Sequence, residues 1–361
     1  MQTISRHIRL IAALLLLVGG TAINAPAQEF MWNAGFRSVF DNREGDNNIT
    51  ATKTIIFTQL EPEIGVYFNS RRDLLAGGVV WTQPVGCEWE GHKLSPTLYY
   101  RHSERRWAIT LGMLPRAYLH EELPDFLWCD SLAYFQRNIR GALVQASGKN
   151  YFADLYLDWR ALQSRTRREA FNIVFHGQYR LPGRVWLAGA HLMMNHYALT
   201  EDAPEDMHIV DNFLVNPYIG ADLSRKTGLD SLTVRAGALL TIERNRARDN
   251  WDLPGGGWLD LYGRWRFLEV RNTTYGGGRL LPSFNEFGGQ LYQGEPYYRC
   301  RLYNRTKIYA DIVRNRYVTL KAGIDLNFTD DTFVFYQTIS VSVNLGQILP
   351  RHRGDALTTL P

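Results

Sequence analysis

The 361-residue sequence predicts an all-β fold, a closed antiparallel transmembrane β-barrel of about sixteen strands with long outer loops and short periplasmic turns. Three observations carry this expectation. Apolar residues recur at every second position, long and tight connections alternate along the chain, and the first 27 residues have the form of an export signal. Composition alone resembles that of a soluble protein, with 45% hydrophobic, 13% aromatic and 21% charged residues. A mean hydropathy of -0.26 and the lack of any apolar run of about 20 residues exclude a bundle of membrane helices. Neither excludes a barrel, whose membrane signal is alternation.

The N-terminus carries Arg6, His7 and Arg9, then the apolar stretch Leu10 to Val18, then the small-residue site Ala25-Pro26-Ala27. This order predicts a signal peptide over 1–27, cleaved during export, followed by the barrel over 28–346 and a C-terminal tail over 347–361. Cleavage removes two of the four net positive charges, Arg6 and Arg9, so nothing in the mature chain calls for a nucleic-acid partner. Three cysteines are too few for a disulfide scaffold. Export permits a Cys87–Cys129 bridge between two outer loops, with Cys300 left on an outward strand face.

Period two is clearest near the end. Phe333, Phe335, Ile339, Val341, Val343 and Leu345 share one face, with Thr338, Ser340, Ser342 and Asn344 on the other. Val318 to Phe328 alternates in the same way, and Thr329-Asp330-Asp331 joins the two as a hairpin. The pattern places strands near 30–40, 55–68, 74–82, 94–102, 106–114, 138–147, 151–159, 169–180, 184–195, 213–224, 231–243, 258–265, 267–275, 297–312, 316–328 and 332–346. Long connections (41–54, 83–93, 115–137, 160–168, 196–212, 244–257, 276–296) alternate with tight ones such as Ser103-Glu104-Arg105 and Pro182-Gly183. A soluble sandwich has no reason to place its long loops at every second connection. Strand-end aromatics, among them Phe30, Trp32, Trp81, Trp107, Trp159, Trp258, Trp265, Phe328 and Phe333, fit interfacial girdles.

These features resemble the porin-like outer-membrane β-barrels of Gram-negative bacteria, over the whole mature chain. The segments Leu60-Glu61-Pro62-Glu63-Ile64-Gly65 and Gly112-Met113-Leu114-Pro115-Arg116 are similar to ones in uncharacterised barrels of this kind. One departure is the tail after Leu345, where such barrels often end on a C-terminal aromatic. The resemblance implies an outer-membrane location and passive or weakly selective diffusion of small hydrophilic solutes. It also implies membrane lipid and lipopolysaccharide as surroundings, admits a homotrimer, and carries no cofactor and no metal.

About sixteen strands enclose a lumen wide enough for water, so selectivity rests on inward charges and on loops that fold inward. Alternation turns Arg235, Arg264, Arg266, Arg271, Arg299, Arg301, Arg305 and Lys307 inward as a basic wall. Loop 115–137 carries Glu121, Glu122, Asp125 and Asp130, and in the resembled porins the equivalent loop forms the constriction. Acid facing base there would set a transverse field, unless the arginines simply pair with inward acids and hold the wall together. Loop 276–296, with Phe284, Phe287, Tyr292 and Tyr297, reads as a lid over the mouth.

An enzyme is the competing class. No Gly-x-Ser-x-Gly, His-Glu-x-x-His or Cys-x-x-Cys pattern occurs, so no catalytic residue is assigned. Asp154 and Asp158 share an inward face but stand roughly 13 Å apart, too far for a glycosidase pair. Asp158, Trp159, Glu169, His196 and Asp211 fall near the outer mouth. There a glycan-binding or glycan- or lipid-modifying site is the alternative to a channel.

Overall fold

The computed structural model describes residues 28–45, 49–183, 185–224, 226–247 and 250–346. The predicted signal peptide and C-terminal tail lie outside these. The first half of the sheet comprises β1 (Glu29–Glu44), β2 (Lys53–Phe68), β3 (Asp73–Pro84), β4 (Lys93–Ser103), β5 (Trp107–Pro115), β6 (Asn138–Gly148), β7 (Tyr151–Ala161) and β8 (Ala170–Arg180). The second comprises β9 (Trp186–Tyr197), β10 (Val210–Asp222), β11 (Ser231–Asn245), β12 (Asn250–Asp252), β13 (Gly255–Trp265), β14 (Leu268–Gly277), β15 (Leu302–Arg314), β16 (Val318–Thr329) and β17 (Phe333–Gly346). Every pairing is antiparallel, and β1 pairs with both β2 and β17, which closes the barrel. The short β12 and β13 both pair with β11 and together make one stave, so the wall has sixteen. Closure leaves no unpaired edge, the condition for a sheet to cross hydrocarbon.

Alternation sets the two faces. Leu60, Ile64, Leu75, Leu98, Leu111, Leu155, Leu192, Ile219, Leu240 and Ile339 are exposed outward. Their sequence neighbours Gln59, Glu63, Thr110, Asp154, His191 and Thr241 are buried inward. A polar interior inside an apolar band is the inverse of a soluble barrel. Phe30, Trp32, Trp107, Trp265, Phe328 and Phe333 stand exposed at strand ends, as girdle residues should. Trp258 does not: it is buried inside the lumen.

The short connections gather at one end, which makes that end periplasmic. The β2–β3 turn closes with Asn69, Ser70 and Arg71 all at positive φ. At the other end two long connections turn inward. The first leaves the wall after the Pro115–Asn138 pair, three residues beyond the point where Gly112 faces Gly141, both at positive φ. A Cβ on Gly112 would lie 2.3 Å from the Leu98 carbonyl oxygen, so only glycine allows the strands to approach there.

Candidate functional site

Two loops fill the middle of the lumen. The first, 115–137, holds a 3-10 turn, Arg116–Tyr118, and a short helix, Asp130–Phe135. Its deep end is fixed by polar contacts to the wall. The His120 backbone N–H donates to Asp154 Oδ2 at 2.8 Å and its ring Nδ1 to Asp154 Oδ1 at 2.5 Å. Gln145 Nε2 donates to the same carboxylate at 2.8 Å. Glu121 receives Arg235 Nη2 at 3.0 and 3.2 Å. Arg116 pairs with Asp158 and lies over the Trp128 ring, 3.8 Å from its centroid.

The second loop, between β14 and β15, was expected to be a lid over the mouth. Instead it descends into the barrel, burying Leu280, Leu291, Tyr292, Tyr297 and Tyr298. Apolar rings inside a polar wall need partners of their own kind, and Phe126, Trp258, Tyr275 and Tyr303 supply them. The two loops also bond to each other: Cys129 N–H to Gln293 O at 2.8 Å, Asp130 N–H to Glu295 Oε1 at 2.9 Å, and Glu295 N–H to Asp125 O at 2.8 Å.

One guanidinium ties both loops to the wall. Arg305, 1% exposed, pairs with Asp130 of the first loop and with Asp325 of β16, the latter at 2.5 Å. Its Nη1 lies 3.6 Å from Glu295 and 3.7 Å from Asp125. Lys307 adds a contact to Asp130 at 3.4 Å. Burial alone would raise the Asp130 carboxyl, but the neighbouring Arg305, Lys307 and Arg43 hold it well below the ordinary carboxylate range. Glu295 moves the other way, raised by burial and by the charge of Asp130.

The predicted basic wall divides on this geometry. Arg235, Arg264, Arg271, Arg305 and Lys307 do face the lumen, and each is paired with an acid: Glu121, Asp311, Asp260, Asp325 and Asp130 respectively. Glu122 lies close enough to Arg271 to interact with its charge. Arg266, Arg299 and Arg301 are not on the wall. Arg266 sits at the tip of the β13–β14 turn with φ 54°. Arg299 ends a 3-10 turn, Pro296–Arg299, and donates to Asn285 within the same loop. The expected strand from 297 starts only at Leu302, because Pro296 and the tyrosines after it pack as lumen filling. Cys300 accordingly lies buried in that loop and not on an outward strand face. Cys87, Cys129 and Cys300 are all free thiols, so the expected Cys87–Cys129 bridge is absent.

On the outer side of the filling a cavity of about 570 Å³ opens between β6, β7 and the two inward loops. Arg140, Arg160, Arg167, Arg168, Gln136 and Gln293 are among its lining residues. Asp158, expected at the mouth, is instead fully buried below it and occupied by Arg116.

The remaining mouth candidates form a different place, on the outward face at the outer rim. Cross-strand register sets Trp159, Phe171, His196, Asp211, Arg244 and Trp251 in one row across six strands. Trp159 stacks on Phe171 at 5.0 Å and Phe171 lies 4.8 Å from the His196 ring. His196 Nδ1 donates to Asp211 Oδ1 at 2.7 Å, and Arg246 Nη2 to Asp211 Oδ2 at 2.9 Å. With Nδ1–H held by a carboxylate, the imidazole presents Nε2 as its basic nitrogen. Glu169 is not in the row; its backbone pairs with Ala198 and Leu199.

A family model described as Lipid A 3'-O-deacylase-type matches residues 27–349, which spans the whole described barrel. The chain belongs to that family. Among solved structures it is similar to OccK1 (OpdK) of Pseudomonas aeruginosa, with a TM-score of 0.51 at 9% identity over 88% of this chain and 99% of that one. It is also similar to OccK2 (OpdF) of the same organism, with a TM-score of 0.50 at 10% identity over 89% and 98%. These likenesses establish the porin-like barrel. No curated protein matches.

In this member of the deacylase-type family the sequence pattern had not pointed to His120, Phe171, Arg160, Glu295 or Asp325. Phe171 was legible in principle, since pairing β8 with β9 in register sets it beside His196. His120 and Glu295 sit in loops, where no periodicity says which wall residue they will meet.

Proposed function

We propose that the protein is a restricted outer-membrane channel for small hydrophilic solutes, narrowed by loops 115–137 and 278–301. The observation that carries this is the arrangement of charge above and below the filling. Arginines line a cavity on the outer side, and Arg264, Glu269, Asp311 and Lys321 form a connected charged wall toward the periplasmic end. Such a wall of charge suits ions and polar solutes and disfavours apolar ones. Planar-bilayer recording of the purified full-length barrel tests the reading. Discrete conductance steps support it, and silence at every voltage overturns it.

A second reading has its own support, the His196–Asp211 pair on the lipid-facing rim together with membership of the deacylase-type family. A long acylated lipid in the outer leaflet reaches an outward rim, not the lumen. There Nε2 of His196 would take a proton from water, the water oxygen would attack an ester carbonyl, and the proton would return to the departing alkoxide. The products are a free fatty acid and the deacylated alcohol, and Asp211 stabilises the transient imidazolium. Mass spectrometry of lipopolysaccharide from proteoliposomes tests it: a lost acyl chain supports hydrolysis, and unaltered lipid overturns it.

A further inference from the structure

We propose that the cavity at the outer mouth is a binding site for a small solute carrying two or more anionic groups. The inference deepens the channel reading, because the cavity would be where such a solute pauses before the constriction.

The charge balance of the cavity is the first argument. Four arginines line it, Arg140, Arg160, Arg167 and Arg168, with Arg116 paired to Asp158 beneath. Two carboxylates come near them: Asp158, shared between Arg116 and Arg140, and Glu286, which lies close enough to Arg168 to interact with its charge. The charge of Asp158 also reaches Arg160, but the hydrogen bonds of Arg160 and Arg168 go to neutral groups. Arg160 Nη2 donates to the Gln290 carbonyl. Arg168 donates to the carbonyl oxygens of Ala198 and His208, both at 2.5 Å, and of Tyr197 at 3.3 Å. Carbonyl acceptors aim a guanidinium without cancelling its charge, so the surplus stays available to an anion.

Unsatisfied donors give the second argument. Arg160 Nε is buried with no hydrogen-bond partner, which ordinarily costs stability. The Arg167 guanidinium makes no hydrogen bond or ion pair among the described residues, although it lines the cavity. Arg167 is exposed at the cavity, so its donors are the ones an entering ligand can reach, whereas the buried Nε of Arg160 is shielded from it. Guanidiniums suit carboxylate, phosphate or sulfate groups, which they grip with paired N–H donors. The volume of about 570 Å³ lies within the range of sites for small molecules. Tyr197 and Phe135 add ring faces, and Gln136, Asn138 and Gln293 add amides, so the ligand also has a polar skeleton.

Isothermal titration of the detergent-solubilised full-length protein with citrate, inorganic sulfate and neutral glucose tests the site. The expected result is saturable citrate binding, weaker sulfate binding, no heat with glucose, and loss of affinity as salt is raised. Arg167→Gln, whose side chain holds nothing else in place, should weaken citrate at least tenfold, and Arg160→Gln should do the same. Equal affinity for glucose and citrate, or citrate affinity unchanged in Arg167→Gln, overturns the proposal. Titration registers binding whether or not the barrel conducts, so citrate bound by a silent barrel would remove the channel reading and leave this site standing.

Discussion

Glu121, on the loop between β5 and β6, accepts two hydrogen bonds from Arg235 of β11, at 3.0 and 3.2 Å. The loop thus crosses the lumen from one wall to the opposite one. The same contact decides between the two expectations for the basic wall. Acid and base do face each other across the lumen, but as bonded pairs, so much of the transverse field is spent within the protein.

From this contact follows the first prediction. Glu121→Gln keeps the side-chain shape but removes the charge, leaving Arg235 without its bonded carboxylate and with only Asp260 acting on it from a distance. Anion preference should rise, read as a shift of reversal potential in a KCl gradient, and current noise should grow as the loop tip loosens. Identical reversal potentials for both proteins would place Glu121 away from the ion path.

Arg305 and Arg299 were equal members of the basic wall in the sequence, and the structure separates them. Removing Arg305 strips Asp130 and Asp325 of their shared guanidinium and leaves them to Lys307, 3.4 and 3.8 Å away. Breaking a buried pair in this way costs about 3–5 kcal/mol. Arg305→Ala should therefore lower the urea midpoint clearly and release both loops to protease, whereas Arg299→Ala should stay within about 0.5 kcal/mol. Equal midpoints for the two variants would contradict the central role of Arg305.

The cysteines report topology. Cys87 is exposed in the loop between β3 and β4, on the side of the long connections. Burial pushes the Cys129 thiol up to about 12 and raises Cys300 as well. A raised thiol pKa means less thiolate at neutral pH, and thiolate is the form that reacts. A membrane-impermeant maleimide on intact cells at pH 7.5 should add one label, at Cys87, and reduction should not change the intact mass. A second label under native conditions, or a mass shift of two on reduction, would show that the loop packing is wrong.

How far the sequence could be read follows from what periodicity encodes. It located sixteen staves, the outward band and the inward set that includes Arg235, Arg264, Arg271, Arg305 and Lys307, because each strand writes its two faces into alternate residues. It failed after residue 276, where the run through Tyr297, Arg299 and Arg301 looked like a strand. There the alternation came from a loop that packs tyrosines against other rings inside the lumen, and burial inside a plug leaves the same trace as burial in a wall. His196 and Asp211 were both singled out, but their meeting depends on the register of β9 against β10, which neither segment specifies alone. Asp158 and Trp159 illustrate the limit most directly: adjacent in sequence, they end on opposite faces of β7, one under Arg116 in the lumen and the other on the outer surface.

The rim row allows the hydrolytic reading to be tested apart from the channel. Asp211→Asn preserves the size of the side chain but not the charge that would stabilise an imidazolium at His196. In hydrolases built on a His–Asp pair such a change lowers turnover by about 10⁴ without disturbing geometry. If the rim releases fatty acid, Asp211→Asn and His196→Ala should each abolish release, while bilayer conductance and citrate binding stay as in the parent, because the row faces lipid and the lumen contacts are untouched. Phe171→Ala should have an intermediate effect, since it removes the ring beside His196 but leaves the pair itself. Release that survives in His196→Ala would show that the rim pair does not perform the hydrolysis. Conductance lost together with hydrolysis in Asp211→Asn would mean that the outward face and the lumen are coupled through β10, contrary to the separation that its alternation imposes.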